Sequence, residues 1–168
     1  KLKHVCDARK GEPIFGMTMI IFKGRTVLVA DTNVEDFPTS QRLVDISKSC
    51  VRVSKLFGFE PKVAFLSHST FGKPISRNTK HVRDAIEMLR NEKVDFDFDG
   101  EMQPDVALNP IYQDIYPFSK IVGRANILIM PALHSAAIST KLMKSFGGAK
   151  LIGPLLIGLD LPIEVAPL

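Results

Sequence analysis

The residues best suited to hold a small polar group are Ser67-His68-Ser69-Thr70-Phe71-Gly72, followed by Lys73. Backbone N–H groups, hydroxyls and a lysine charge in a glycine-containing loop suit a phosphate or a carboxylate. The segment is neither a Walker loop nor a G-x-G-x-x-G fingerprint, so a capped turn without a ligand is the competing reading. Asp95-Phe96-Asp97-Phe98-Asp99-Gly100 copies the first six positions of a calcium loop. Val106 stands where the twelfth position needs a bidentate Glu, which argues against calcium. Its phenylalanines alternate as strand residues do, which favours a half-exposed strand turned by Asp99-Gly100. Glu101 and Asp105 are carboxylates near enough in sequence for acid–base work, with surface acids as the plainer alternative. Asp105 also reads as a cap for a short helix after Pro104. His4, His68, His81 and His134 show no metal-ligand spacing with one another or with Cys6 and Cys50. No catalytic residue and no metal ligand is assigned, and both cysteines read as small buried hydrophobes. In Gly153-Pro154-Leu155-Leu156-Ile157-Gly158 the glycines admit either a ligand or tight backbone packing.

These residues need elements to position them. Ile14 to Phe22 and Thr26 to Ala30 are apolar and flank Lys23-Gly24-Arg25, which predicts a β-hairpin. Thr39 or Ser40 caps a helix with Leu43, Ile46, Cys50, Val53 and Phe57 on one face, ended by Gly58 and Pro61. Val63 to Leu66 is a continuous apolar strand, covered on both faces, directly before the Ser67 loop. Ser76 caps a second helix through Val82, Ala85, Ile86 and Leu89. Ile127 to Met130 is a further buried strand, Ser135 to Phe146 a helix stopped by Gly147-Gly148, and 149–152 and 155–159 are two final strands. Helices alternating with short apolar strands predict a three-layer α/β fold with a largely parallel sheet and an additional β-hairpin. In such sheets ligands sit outside the carboxyl ends of the strands.

Composition narrows the function classes. The 168 residues are 45% hydrophobic with a net charge of +4, enough for a single domain with a real core. The basic residues are scattered, so nucleic acid is not an expected partner. No apolar run reaches a membrane span, and the first residues carry no apolar export signal. Two cysteines fit a reducing cytoplasm.

Four strings taken together resemble the phosphate acetyl/butyryltransferase family: VAFLSHSTFG (Val63 to Gly72), DFDGEMQPDVAL (Asp97 to Leu108), GRANILIMPALHSAAISTKL (Gly123 to Leu142) and GPLLIGLDLPI (Gly153 to Ile163). The forms SHS-x-FG, DGEM and SAAIST look most like the acyltransferase-related domain at the C-terminus of hybrid bacterial malic enzymes. That resemblance implies two α/β subdomains of the isocitrate/isopropylmalate dehydrogenase-like kind, with coenzyme A in the cleft between them. Residues 1–168 would be the second subdomain, a piece of a longer polypeptide that forms a homodimer through this subdomain. Strand-end logic and the resemblance together place Ser67, Ser69, Thr70, Gly72, Gly153, Pro154 and Gly158 on the cleft face as ligand-binding residues. Active members of the family place a serine and an arginine on the transferred phosphate, and those positions fall here on Pro167 and Leu168. Proline has no hydroxyl and leucine no charge, so acyl transfer is not expected.

The resemblance therefore implies a regulatory domain that binds acetyl-CoA or CoA within a cytoplasmic NADP-dependent malic enzyme, which decarboxylates malate to pyruvate. NADP and a divalent metal would belong to a separate N-terminal domain. The alternatives are an active phosphate acetyltransferase, and a domain that only dimerises.

Overall fold

Apolar side chains of alternating parity along the central strands feed two cores, one on each face of a single sheet. The computed structural model describes residues 8–31 and 34–160, without the Gln113 side chain, together with the backbone of 163–164. The strands are β1 (Phe15–Phe22), β2 (Arg25–Ala30), β3 (Lys62–Leu66), β4 (Asp97–Met102), β5 (Ile127–Ile129), β6 (Lys150–Ile157) and β7 (Ile163–Glu164). The helices are α1 (Ser40–Leu56), α2 (Lys80–Glu92), α3 (Pro104–Leu108) and α4 (Leu133–Gly147). The strand order is β4-β3-β5-β2-β1-β6-β7. The β4/β3, β3/β5 and β5/β2 pairs are parallel, while β2/β1, β1/β6 and β6/β7 are antiparallel. Only β1 and β7 run against the rest, so the sheet is largely parallel in direction although the hairpin edge is antiparallel.

Val63 and Phe65 of β3, Leu28 of β2 and Ile127 and Ile129 of β5 point to one face, where α1 and α2 cover them with Leu43, Ile46, Cys50, Ala85 and Leu89. Ala64, Leu66, Val29 and Leu128 point to the other, beneath Ala107 of α3 and Ala136 of α4. The predicted three-layer α/β fold is thus present, and period-two alternation explains it.

Several local expectations are corrected. The hairpin turn is two residues, Lys23 and Gly24, both at positive φ (48° and 73°), and Arg25 already pairs with Phe22. That geometry matches the right-handed twist of the flanking strands. Asp99-Gly100 is not a turn but lies inside β4, and Asp99 and Glu101 are only 2% and 1% exposed. The strand is therefore buried rather than half exposed, and the six calcium-like positions do not form a loop. The cap of α3 is Gln103, with Asp105 in the first turn. The two predicted final strands are one, β6, which passes through Gly153-Pro154 by a bulge opposite Thr18 of β1.

Gly153 within that strand and Gly158 just after it have a packing role. A Cβ at Gly153 (φ +111°) would stand 2.8 Å from the Met17 carbonyl oxygen, and one at Gly158 (φ +87°) would stand 2.2 Å from that of Pro13. Replacing Gly158 with alanine adds that collision to the strain of its left-handed φ. In urea unfolding, Gly158→Ala is expected to cost more than about 3 kcal/mol. Gly24→Ala, which meets nothing within 4 Å, should cost about 1 kcal/mol.

Candidate functional site

Three helices begin at one crevice. Pro38, Thr79 and Ala132, which stand at or just before the caps of α1, α2 and α4, all line a cleft of about 620 Å³. It lies at the carboxyl ends of β3 and β5, where Ser67 and Pro131 follow the strands. His68, His81 and His134 line it as well. None of the three helices has an acidic residue in its first turn, and neither Thr79 nor Ala132 supplies a side-chain cap. The positive ends of three backbone dipoles therefore border the cleft with no first-turn carboxylate against them, an arrangement that favours an anion.

The histidines are fixed to different degrees. His81 Nε2 is 3.0 Å from the Pro131 carbonyl oxygen. A carbonyl only accepts, so that nitrogen carries the hydrogen and ties the start of α2 to the end of β5. His134 is exposed and its ring lies 5.7 Å from that of Phe37 at the rim. The His68 side chain is exposed, while its carbonyl accepts from Gln103 Nε2 at 2.8 Å.

Behind the cleft the Ser67 loop is clamped by a buried carboxylate. Phe65 pairs with Gly100 and Leu66 with Met102, so Glu101 is the extra residue of a β-bulge in β4. Bulges re-aim side chains, and this one sends Glu101 toward the loop. Ser69 Oγ donates to Glu101 Oε1 at 2.5 Å, and the Ser67 and Ser69 hydroxyls are 3.0 Å apart. Arg83 Nη1 reaches both Glu101 oxygens at 3.1 and 3.2 Å and Thr79 Oγ1 at 2.6 Å, while Nη2 donates to the Ser76 carbonyl at 2.8 Å. One ion pair thus joins β4, the Ser67 loop and the start of α2. The bulge requires Gly100, whose φ is +146° and whose missing Cβ would stand 2.7 Å from the Phe65 carbonyl oxygen. On the same strand Asp99 accepts from Arg90 at 3.1 Å and from the Lys120 N–H at 2.8 Å.

The expected ligand-binding residues divide accordingly. Ser67 lines the cleft. Ser69 and Thr70 are buried behind it, and Thr70 Oγ1 accepts from the Gln103 N–H at 3.2 Å. Gly72 sits with Phe71 at the tip of a tight turn closed by two Thr70–Lys73 backbone hydrogen bonds of 3.0 Å, beside a different groove along β4. Gly153 and Pro154 are on β6 and Gly158 directly follows it, and β6 is separated from β3 by β5, β2 and β1. Four strand spacings put them about 19 Å away. Sequence reasoning missed His81, His134 and Phe37 as neighbours of Ser67, and Arg83 as the partner of Glu101. The available signal was strand-end logic applied to Met130-Pro131-Ala132, and the absence of acids after each helix start. Pro167 and Leu168, on which the lost phosphoryl chemistry was read, lie outside the described residues.

A family model described as phosphate acetyl/butaryl transferase matches residues 3–167. The chain belongs to that family. It is 46% identical over 165 residues to an NADP-dependent malic enzyme of Rhizobium meliloti, covering 98% of this chain and 22% of that protein. It is 35% identical over 136 residues to the phosphate acetyltransferase of Bacillus subtilis, covering 80% of this chain and 42% of the other. The solved phosphotransacetylase from Streptococcus pyogenes superposes with a TM-score of 0.86 at 31% identity, over 94% of this chain and 49% of that one. The chain therefore spans about a fifth of the malic enzyme and under half of each transferase. No helix among the described residues is long and apolar enough to cross a membrane, and no group of three His, Cys, Asp or Glu side chains among them could hold a metal.

Two predictions follow from the clamp and from the lone described thiol. Arg83→Ala leaves Glu101 buried without its cation and should cost about 3 kcal/mol in denaturant unfolding. Adding Glu101→Gln to that variant should recover part of the loss, because a neutral amide costs less to bury. Cys50 is fully buried in α1, and burial, reinforced by the Asp31 charge, pushes its thiol far up. At pH 8 it should resist iodoacetamide until the protein is unfolded, as read by peptide mass spectrometry.

Proposed function

We propose that this chain is the acetyl-CoA-binding, regulatory phosphotransacetylase-like part of an NADP-dependent malic enzyme, without acyl transfer of its own. The observation that carries the reading is the crevice: three helix starts without an acid, at parallel-strand ends, in a chain 46% identical to part of a malic enzyme. A polyphosphate fits such a site, because backbone N–H groups supply fixed positive potential with no side-chain charge to reorganise. Phe37 and His134 at the rim offer a ring surface for a planar group. The Ser69 hydroxyl beneath is committed to Glu101 and the Ser67 hydroxyl to Ser69, so they hold the loop rather than attack a substrate. Catalytic degeneracy rests on Pro167 and Leu168 standing where the resembling enzymes carry serine and arginine.

Regulation would work by linkage. A ligand that binds one quaternary state better shifts the population toward that state, by no more than its difference in affinity. The surface for a homodimer is the exposed stripe Ile138, Leu142 and Phe146 on α4, at i, i+4 and i+8, continued by Ile152. Residues four apart share one helix face, and an apolar stripe of this kind is best covered by another subunit. NADP, the divalent metal and malate decarboxylation belong in this reading to the parts of the polypeptide outside this chain, in a cytoplasmic enzyme.

A second reading, an active phosphate acetyltransferase, is favoured by the match to the Bacillus subtilis enzyme. Calorimetry of the full-length protein separates the two. Saturable acetyl-CoA binding without acetyl phosphate formation is expected, and Ser135→Asp provides the internal control. An acid in the first turn of α4 should stabilise the helix by about 0.3–1 kcal/mol, while weakening acetyl-CoA at least tenfold by repulsion. Absence of heat at millimolar acetyl-CoA would sink the sensor reading, and phosphate-dependent turnover would establish the transferase.

A further inference from the structure

On the sheet face opposite α1 and α2 a separate chamber of about 440 Å³ lies beneath α3 and α4. Its floor is Ile20 of β1, Val29 of β2, Leu66 at the end of β3, Leu128 at the centre of β5 and Met130 just after it, and none of the five is more than 6% exposed. The lining includes two arginines, Arg25 and Arg124, and no carboxylate. Arg124 donates only through Nε, to the Leu108 carbonyl at 3.1 Å. The Arg25 guanidinium has no hydrogen-bond or ion-pair partner among the described residues.

We propose that this chamber binds an amphipathic monoanion: a carboxylate held by Arg25 and Arg124, with one unbranched apolar tail lying on the five-residue floor. Three observations select that occupant. The volume is that of a small-ligand site. A protein helix is about 10 Å across and does not fit a space of this volume, whereas a single methylene chain does. The walls offer water little: the Ser139 and Thr140 hydroxyls donate to their own helix, to the Ser135 and Ala136 carbonyls at 2.7 and 2.8 Å. Among the described residues no buried side-chain polar atom lacks a partner. The apolar floor gains by taking up an apolar group. The mouth then needs a negative head, because two guanidiniums with no acid between them repel a cation and pair with a carboxylate.

The chamber is distinct from the crevice at the helix starts and from the outer stripe of α4. Ser139, Thr140 and Met143 line the chamber, whereas Ile138, Leu142 and Phe146 occupy another face of the helix.

The test is calorimetry of the full-length protein with octanoate, decanoate and octanol, each kept below its micelle or solubility limit. One saturable site is expected, with affinity rising roughly fourfold per added methylene. Arg25→Gln with Arg124→Gln should weaken decanoate at least tenfold and leave octanol unchanged. Met143→Trp, at a partly exposed wall position, should fill the space and abolish both. Acetyl-CoA should not displace decanoate, so failure here is separable from failure of the sensor reading. No binding at millimolar decanoate overturns the proposal. So does binding at several equivalents, or binding that ignores both the arginine pair and Met143→Trp, since either is adsorption to the surface. The arginines are exposed, so their variant is expected to fold and remains informative if Met143→Trp does not.

Discussion

A single buried carboxylate organises the half of the molecule that faces the crevice. Glu101 is 1% exposed, and a charge at that depth is tolerable only when paired and hydrogen-bonded. Its partners come from two places in the chain: Ser69 after β3, and Arg83 of α2, which in turn grips Thr79 and Ser76. The pair therefore fixes more than its own energy. It sets where the Ser67 loop leaves the sheet and where α2 begins, and both of these border the cleft. The bulge that delivers Glu101 also turns Met102 into the second core, so packing and the polar clamp select the same backbone path.

The positive potential of the cleft has a different origin. It comes from topology, since parallel strands followed by helices bring helix starts to one edge of the sheet. The side chains contribute mainly by omission. Had α1, α2 or α4 carried the usual acid in its first turn, the field would be spent within the helix. Instead those turns read Ser40-Gln41-Arg42, Lys80-His81-Val82 and Leu133-His134-Ser135. A small stabilisation of each helix is forgone, and what remains is an opening suited to an anion.

The antiparallel edge is built by steric exclusion. Gly153 and Gly158 lie where β6 presses on β1 and on the Pro13 segment, and any side chain there would displace backbone. Read from the sequence, these glycines allowed either a ligand or tight packing. Contact distances favour packing, and no sequence pattern reports contact distances. The same limit applied to Asp99, whose alternation with phenylalanines suggested an exposed strand and turn, and to Glu101, whose plainer reading was a surface acid. Their partners, Arg90 and Arg83, lie nine and eighteen positions away and on a different element. Burial made possible by a distant cation leaves no local mark.

By itself the sequence determined the α/β class, the hairpin, the caps of α1 and the buried strand before Ser67. All of these depend on neighbours within a few residues: hydrophobic period, turn glycines, a capping hydroxyl. Family kinship was legible too, since it is carried by short strings in order. Tertiary structure alone decided that Ser67 shares a cleft with His81 and His134. It alone decided that Ser69 serves Glu101, and that Gly153 and Gly158, in and just after β6, stand four strands away from the Ser67 loop. Those are long-range pairings, fixed by strand order and by which charges meet in the interior, and strand order is set by the packing of the whole chain at once.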